Sequence, residues 1–470
     1  MSQLLVNKML SSLREEYEFQ VDDKKPEFID TQFILLCLIH AKEFSKSDTE
    51  WLDNFEYKIN TNGKIVTFYS NDWKPFIDSM VLSNEWMDIF TLLLYKNFLD
   101  IKKINKKDVE LLKVINSLFK CLDLASSSWL NKGSELYRSI IEDIERVVNN
   151  ISQCEHFFDD EVIDQLSNFN KPLVVLPITI LFSEGPIARA YLATIHSMGF
   201  SPQKIIHLVN STDITTKKSI GRLLPVTLRK KYAAFLHKQR IHYWPNKISK
   251  YLPELKKIIF DSVIKDYQFS QATLDNANRL RPLSYFCSNI ETLLIKNLRD
   301  DLLMECLQKL SETTILYTGG GFVPKDLLDI KSIKMIHIHP GFLPQIKGAD
   351  CFLWSLLLHG KASASCYFMD NGLDTGEIIL ASWLPKISFK ISRNNYNLIT
   401  LYRSIYSYVD PWVRSFVLKQ VIKKYSSTNF YSISATKQDA NNDTTLNFMH
   451  NKIKNIVIDN LFTNSKINYD

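Results

Sequence analysis

Two histidines two residues apart, His337 and His339, close an apolar run that stops at Pro340-Gly341. An acid, Asp374, follows 35 residues later in a Gly-containing turn between two apolar runs. Side chains alternate along a strand, so residues i and i+2 share one face. His337 and His339 therefore point the same way at a strand's end. A histidine with a carboxylate nearby is a proton-transfer pair. The rival use of His-x-His is zinc chelation, with His359 and Asp374 completing the set. His359, however, closes the leucine-rich run FLWSLLLH and precedes Gly360, as a helix end does. The spacing of a third ligand is unremarkable, so no metal site is expected.

These side chains need strands and turns to hold them. ILY, residues 315–317, ends a short strand that begins at Thr314, and Gly319-Gly320-Gly321 follows it. Such a run lets backbone approach a flat ligand closely. Further upstream, LVVLPITILF (173–182) is a continuous apolar, β-branched run. That pattern suits a buried parallel strand. A loop at 183–186, a helix at 187–198 and a second strand at 204–210 complete a β-loop-α-β opening. No GxGxxG follows the first strand, so a dinucleotide site is not indicated. The spacing further predicts an amphipathic helix over 290–310, a helix over 402–425, a polar loop over 436–445 and a helix over 447–462. The fold class expected for about 170–425 is α/β, with residues 426–470 as a C-terminal extension.

Residues 1–165 read as a mainly helical accessory domain. Apolar residues recur at helical spacing in 33–40, 86–99, 109–124 and 136–148. A hairpin is expected around 56–69, where Asn62-Gly63 separates alternating residues. The chain's 470 residues suffice for at least two domains, and its apolar (45%) and charged (23%) content is ordinary for a globular protein. A net charge of +6 suits anionic substrates without demanding nucleic acid. Basic residues and aromatics interleave over 217–257, and a solvated helical face explains them better than a surface for an anionic substrate such as a nucleotide-linked sugar or an RNA. The seven scattered cysteines include no CxxC. They fit reduced thiols in a cytoplasmic protein, and no secretory or membrane-spanning run stands out.

Three blocks resemble the formyltransferase family that uses 10-formyltetrahydrofolate. They are His339-Pro340 with Leu343-Pro344 and Gly348-Ala349, then Leu373-Asp374-Thr375-Gly376-Glu377-Ile378-Ile379, and upstream the loop Tyr317–Pro324. The family includes methionyl-tRNA formyltransferases, glycinamide ribonucleotide transformylases and sugar N-formyltransferases. The resemblance implies a Rossmann-like α/β domain with a mostly parallel sheet, and transfer of a formyl group from 10-formyltetrahydrofolate to a primary amine. His339 would position or protonate the intermediate and leaving nitrogen, and Asp374 would orient an imidazole or water and favour its charged form. Gly319, Gly320, Gly321, Phe322, Asp370 and Leu373 would line the folate pocket. His337 falls where the family carries an oxyanion-binding Asn, and its N–H could serve the same end. Gly341 replaces a usual Ser, and Lys347 a usual Arg. The acceptor implied is a small amine, an amino sugar or a peptide rather than nucleic acid. A formyltetrahydrofolate hydrolase and a non-catalytic folate binder are the alternatives, and a homo-oligomer is left open.

Overall fold

The computed structural model describes residues 56–61, 64–69, 108–124, 130, 132–152, 173–213, 215–391, 395–439 and 445–462, with residues 91, 94, 95, 98 and 99. The chain divides into two compact units, residues 1–153 with 450–453 and residues 154–449 with 454–470. In the first, β1 (Glu56–Thr61) pairs antiparallel with β2 (Lys64–Tyr69), and Thr61 faces Lys64. The antiparallel pair expected around 56–69 is present, and Asn62-Gly63 lie outside the described residues. Helices α1 (Asp108–Leu124) and α2 (Glu135–Ser152) pack together. Their buried stripes, Leu112-Ile115-Leu118-Phe119-Leu122 and Ile140-Ile144-Val147-Val148-Ile151, follow the 3.6-residue period. The five described residues of 91–99 are all helical, and the helix expected at 33–40 lies outside the described residues.

The second unit is built on a seven-stranded sheet. Along the chain come β3 (Val174–Ser183), α3 (Pro186–Ser197), β4 (Phe200–Asn210), α4 (Val226–Ile241), α5 (Tyr243–Tyr251), α6 (Pro253–Tyr267), α7 (Gln271–Asn278), β5 (Ile290–Ile295), α8 (Asp301–Gln308) and β6 (Thr313–Tyr317). They are followed by α9 (Lys325–Leu328), β7 (Ile333–His339), β8 (Lys347–Gly348), α10 (Cys351–His359), β9 (Ser363–Phe368), β10 (Ile378–Trp383), α11 (Leu398–Tyr408), α12 (Asp410–Tyr425), β11 (Thr445–Leu446) and α13 (Asn451–Leu461). The sheet runs β10-β9-β7-β6-β3-β4-β5. Strands β3 to β7 pair in parallel, while β9 is antiparallel to both β7 and β10. This is the mostly parallel, Rossmann-like sheet expected. Pro177 lies in the central strand β3, where a missing N–H should break the ladder. Its place coincides with the register shift between Leu176 and Thr179 against β4, and pairing with β6 begins only at Ile178.

Two expectations need correction. Residues 290–310 are not one amphipathic helix. Ile290–Ile295 pair in parallel with Ile205–Asn210 as the sheet's edge strand, and the helix begins only at α8. Asp300 starts it, its side chain accepting from Leu302 N–H (3.2 Å). A short apolar run with residues three and four apart fits either period, and tertiary pairing decided it. The single helix expected over 402–425 is two, α11 and α12, divided at Val409. Pro411 sits in the first turn of α12, where its missing N–H costs nothing.

Strand order reverses about β3: the chain leaves through α3 to β4 on one side, while β6 and β7 lie on the other. The carboxyl ends of β3, β6 and β7 are thus neighbours at a switch point, where such sheets take ligands. One face is cored by Leu181, Ile206, Ile315, Tyr317 and Met335 with Leu303 and Leu307 of α8. The other is covered by α3 and α12, with Tyr191, Trp412, Val413 and Phe416 buried. Among the described residues no helix is long and apolar enough to cross a membrane.

Candidate active site

Strand β7 puts both histidines at its carboxyl end. His337 pairs across the sheet with Tyr367, and His339 with Ser365. His339 is buried, with Nδ1 3.4 Å from Asp374 Oδ2 and Nε2 3.2 Å from the Ile346 carbonyl. Asp374 sits at the turn between β9 and β10 in left-handed backbone (φ 56°). Its Oδ1 accepts from the buried Tyr367 hydroxyl (2.9 Å) and its Oδ2 from Gly348 N–H (3.1 Å). His337 is half-buried, and its Nδ1 lies 3.1 Å from the Tyr317 carbonyl. The Tyr317 ring and the edge-on Tyr367 ring flank it, with centroids 6.0 and 6.2 Å away.

The loop after β7 is held in place by Ser365. Its hydroxyl donates to the Gly341 carbonyl (2.8 Å) and accepts from Leu343 N–H (3.0 Å). Gly341 has no room for a side chain: a Cβ would collide with the Ile346 carbonyl and lie 2.8 Å from His339 Nε2. The peptide Leu343-Pro344 is cis. At Gly348 (φ 103°) a Cβ would collide with Leu446, because β11 pairs in parallel with β8. The C-terminal segment also braces the acid: Gln438 donates to the carbonyls of Asp374 and Gly376, and Thr436 bonds Ile378.

Burial lowers the pKa of His339 to about 4, with Arg414 adding to the effect and Asp374 opposing it. Burial and then Arg414 likewise take His337 to about 4. Both rings are therefore neutral at neutral pH. Arg414 on α12 donates to the Ile338 carbonyl between them (2.7 Å) and to the buried Asp410 (3.0 Å). Burial raises the Tyr367 hydroxyl far above its ordinary value, and the Asp374 charge adds to this, so it stays a donor. Where β3 ends, Glu184 accepts from Arg189 (2.8 and 2.5 Å) and from His242 (2.9 Å).

The structure thus gathers His337, His339 and Asp374 as the sequence suggested. Gly319, Gly320 and Gly321 form the loop leaving β6, closed by the Tyr317 hydroxyl on the Gly320 carbonyl (3.1 Å). Phe322 and Leu373 are exposed, and Asp370 orders its own turn through Gly372 N–H (3.0 Å) and the Thr375 hydroxyl (2.6 Å). His359 packs on Trp383 (4.5 Å). Among the described residues no group of three or more His, Cys, Asp or Glu side chains is arranged for a metal. Within the basic stretch Lys230 and Lys238 bond backbone carbonyls and Arg240 pairs with Asp213, while Lys217, Lys218, Arg222 and Lys231 are exposed.

Tyr367, Ser365 and Arg414 were not anticipated. Alternation along SASCYF marks Ser363, Ser365 and Tyr367 as one polar face, and that pattern could have found two of them. The pair Asp410 and Arg414, four apart in an apolar helix, was a legible sign of a buried ion pair.

Residues 286–396 match the family described as formyl transferase. That part of the chain is similar to this family. The formyl transferase segment is similar to methionyl-tRNA formyltransferases of Syntrophus aciditrophicus (34% identical over 99 residues, 20% of this chain and 31% of that one) and Clostridium tetani (38% over 109 residues, 23% and 34%). The chain therefore spans about a third of the length of these curated relatives. Among solved structures, an N-formyltransferase of Helicobacter canadensis in complex with folinic acid and dTDP-3-aminofucose matches with a TM-score of 0.30 and 15% identity, over 58% of this chain and 71% of that one. The formyl transferase match runs from just before β5 to just before α11, and holds both histidines and Asp374.

Proposed function

We propose that this protein transfers a formyl group from 10-formyltetrahydrofolate to a primary amine of a small molecule, an amino sugar or a peptide. The observation that carries this reading is the His339–Asp374 contact at the end of β7, inside a segment of the formyl transferase family. The formyl carbon needs a nucleophile stripped of its proton, and the leaving nitrogen needs one returned. A neutral imidazole at His337, held beside His339 and its fixed carboxylate, is suited to that exchange. Phe322 and Leu373 supply exposed apolar surface for the flat pterin of the donor, and open space at Gly320 and Gly321 allows close approach. A small acceptor is favoured because Lys230, Lys238 and Arg240 of the basic stretch are engaged within the fold, and only about a third of the tRNA-acting relatives is matched.

The test is release of tetrahydrofolate from 10-formyltetrahydrofolate by the full-length protein, with pools of amino sugars, amines and peptides and with methionyl-tRNA in separate arms. Amine-dependent release that disappears in Asp374→Ala supports the reading. Release only with methionyl-tRNA overturns the acceptor, and equal release without any amine makes the protein a hydrolase.

A further inference from the structure

Four imidazole nitrogens line the end of β7, and three of them face protein acceptors. His339 Nε2 meets the Ile346 carbonyl, His339 Nδ1 meets Asp374 Oδ2, and His337 Nδ1 meets the Tyr317 carbonyl. A carbonyl oxygen only accepts, so the nitrogen facing it carries the hydrogen. In neutral His337 the proton is therefore on Nδ1, and Nε2 holds a lone pair. Among the described residues Nε2 of His337 has no hydrogen-bond partner. The charged and titratable groups around the ring are Arg414, His339, Asp374, Tyr317 and Tyr367. Arg414 spends its guanidinium on Asp410 and Ile338, and the Tyr317 and Tyr367 hydroxyls spend their protons on Gly320 and Asp374.

From this geometry we propose that Nε2 of His337 is the base that takes the proton from the attacking amine. The proposal rests on the formyl-transfer reading above. It reverses the polarity that substitution for an Asn suggests: an amide offers a hydrogen, whereas this nitrogen offers an electron pair. The balance is complete. The amine nitrogen bonds to the formyl carbon, the carbonyl π pair moves onto oxygen, and the amine proton moves to His337 Nε2. The new N–H is then a charged donor beside the oxyanion. As the carbonyl re-forms, the bond from carbon to the donor's nitrogen breaks, its electron pair stays on that nitrogen, and the proton passes from Nε2 to it. His339, whose single hydrogen lies on Nε2 towards the Ile346 carbonyl and whose Nδ1 is closed off by Asp374, is a positioning residue that fixes β7 against the loop at 341–346.

The first test reads the tautomer directly in the full-length protein, by ¹⁵N NMR of histidine-labelled imidazoles, with His337 assigned by loss of its signals in His337→Gln. The expected result between pH 6 and 8 is a neutral ring with a protonated Nδ1 and a bare Nε2. A protonated Nε2 would overturn the proposal, and this readout holds whether or not formyl transfer is found. The second test is His337→Asn. If Nε2 is the base, kcat falls on the order of 10²–10⁴-fold while tetrahydrofolate binding is kept. Added imidazole restores turnover in His337→Ala. If His337→Asn stays within a few-fold of the parent, the residue acts as a donor and the proposal fails. Absence of any turnover in the parent would sink the formyl-transfer reading and leave the tautomer result standing by itself.

Discussion

The side-chain amide of Gln438 donates to the backbone carbonyls of Asp374 (2.9 Å) and Gly376 (2.7 Å), tying the turn that carries the site's acid to a segment more than sixty residues later. Asp374 needs such a tie. Left-handed backbone in a non-glycine residue costs of the order of 1–3 kcal/mol and persists only where neighbours enforce it. Thr436 adds two backbone bonds with Ile378 (both 2.8 Å) at the turn's far side. Gln438→Ala removes two donors from carbonyls that have little access to water. The expected loss is about 1–3 kcal/mol in denaturant unfolding, with a fall in formyl transfer larger than any loss of donor binding. Unchanged stability would mean the turn holds itself.

Gly341 is a second point where backbone geometry and chemistry meet. The family it resembles usually carries Ser there, but this loop leaves no room for a Cβ between the Ile346 carbonyl and His339. Gly341→Ser should therefore push the 341–346 loop away and loosen the bond between His339 Nε2 and Ile346. A cost of about 1–3 kcal/mol is expected, as for other overpacked interiors. The His339 ¹⁵N signals should shift in the same variant, whereas those of His337, held by Tyr317 on β6, should move less. A variant as stable as the parent with unmoved His339 signals would contradict the packing argument.

How much of this was legible depended on the range of the interaction. His337, His339 and Asp374 could be read because motif order and strand alternation are local properties. The pairing of β1 with β2 could be read for the same reason. The strand at Ile290–Ile295 could not, because its apolar residues fit both periods and only pairing with Ile205–Asn210 selects the extended form. The polarity of His337 was also hidden. Which nitrogen carries hydrogen is set by the Tyr317 carbonyl on a neighbouring strand, and nothing beside His337 in sequence reports it. Gln438 left no signal at all, since a lone amide in a polar stretch looks like surface.

Acid sensitivity should come in two windows. His207, His337 and His339 have folded pKa values lowered to about 4, chiefly by burial, against 6.5 when exposed. Below pH 6.5 the unfolded chain takes up protons that the folded protein refuses, so stability falls from there down to about pH 4. Glu184 behaves differently. Burial alone would raise its pKa, but the hydrogen bonds from Arg189 and His242 outweigh it and bring the carboxyl to about 2. Its contribution, roughly 3 kcal/mol from a shift of that size, is present above pH 4.5 and is lost as pH falls towards 2. Urea unfolding from pH 8 to 3 checks both. His207→Gln should flatten the upper window. Glu184→Gln should lower stability at neutral pH, since it leaves the Arg189 charge buried without its partner. A pH-independent midpoint between 6.5 and 4 would contradict the neutral histidines.

The two acceptors of Asp374 allow its charge to be separated from its shape. In Asp374→Asn, oxygen at the Oδ2 position still accepts from Gly348 N–H. The new NH₂ falls at the Oδ1 position, where the Tyr367 hydroxyl can turn to accept. Packing is kept and only the charge facing His339 is lost. The variant should lose less than about 1 kcal/mol of stability, as expected when a hydrogen bond is replaced rather than broken. Formyl transfer should fall on the order of 10²-fold or more. Tyr367→Phe does the reverse. It keeps the charge but strips a hydrogen bond from an ionised, buried acceptor, which costs about 1.5–3 kcal/mol, and it should slow transfer less than Asp374→Asn does. Measuring both variants for unfolding and for turnover gives opposite orders if the carboxylate acts through its charge on His339. The same order in both measurements would mean that Asp374 matters only as a brace for the turn.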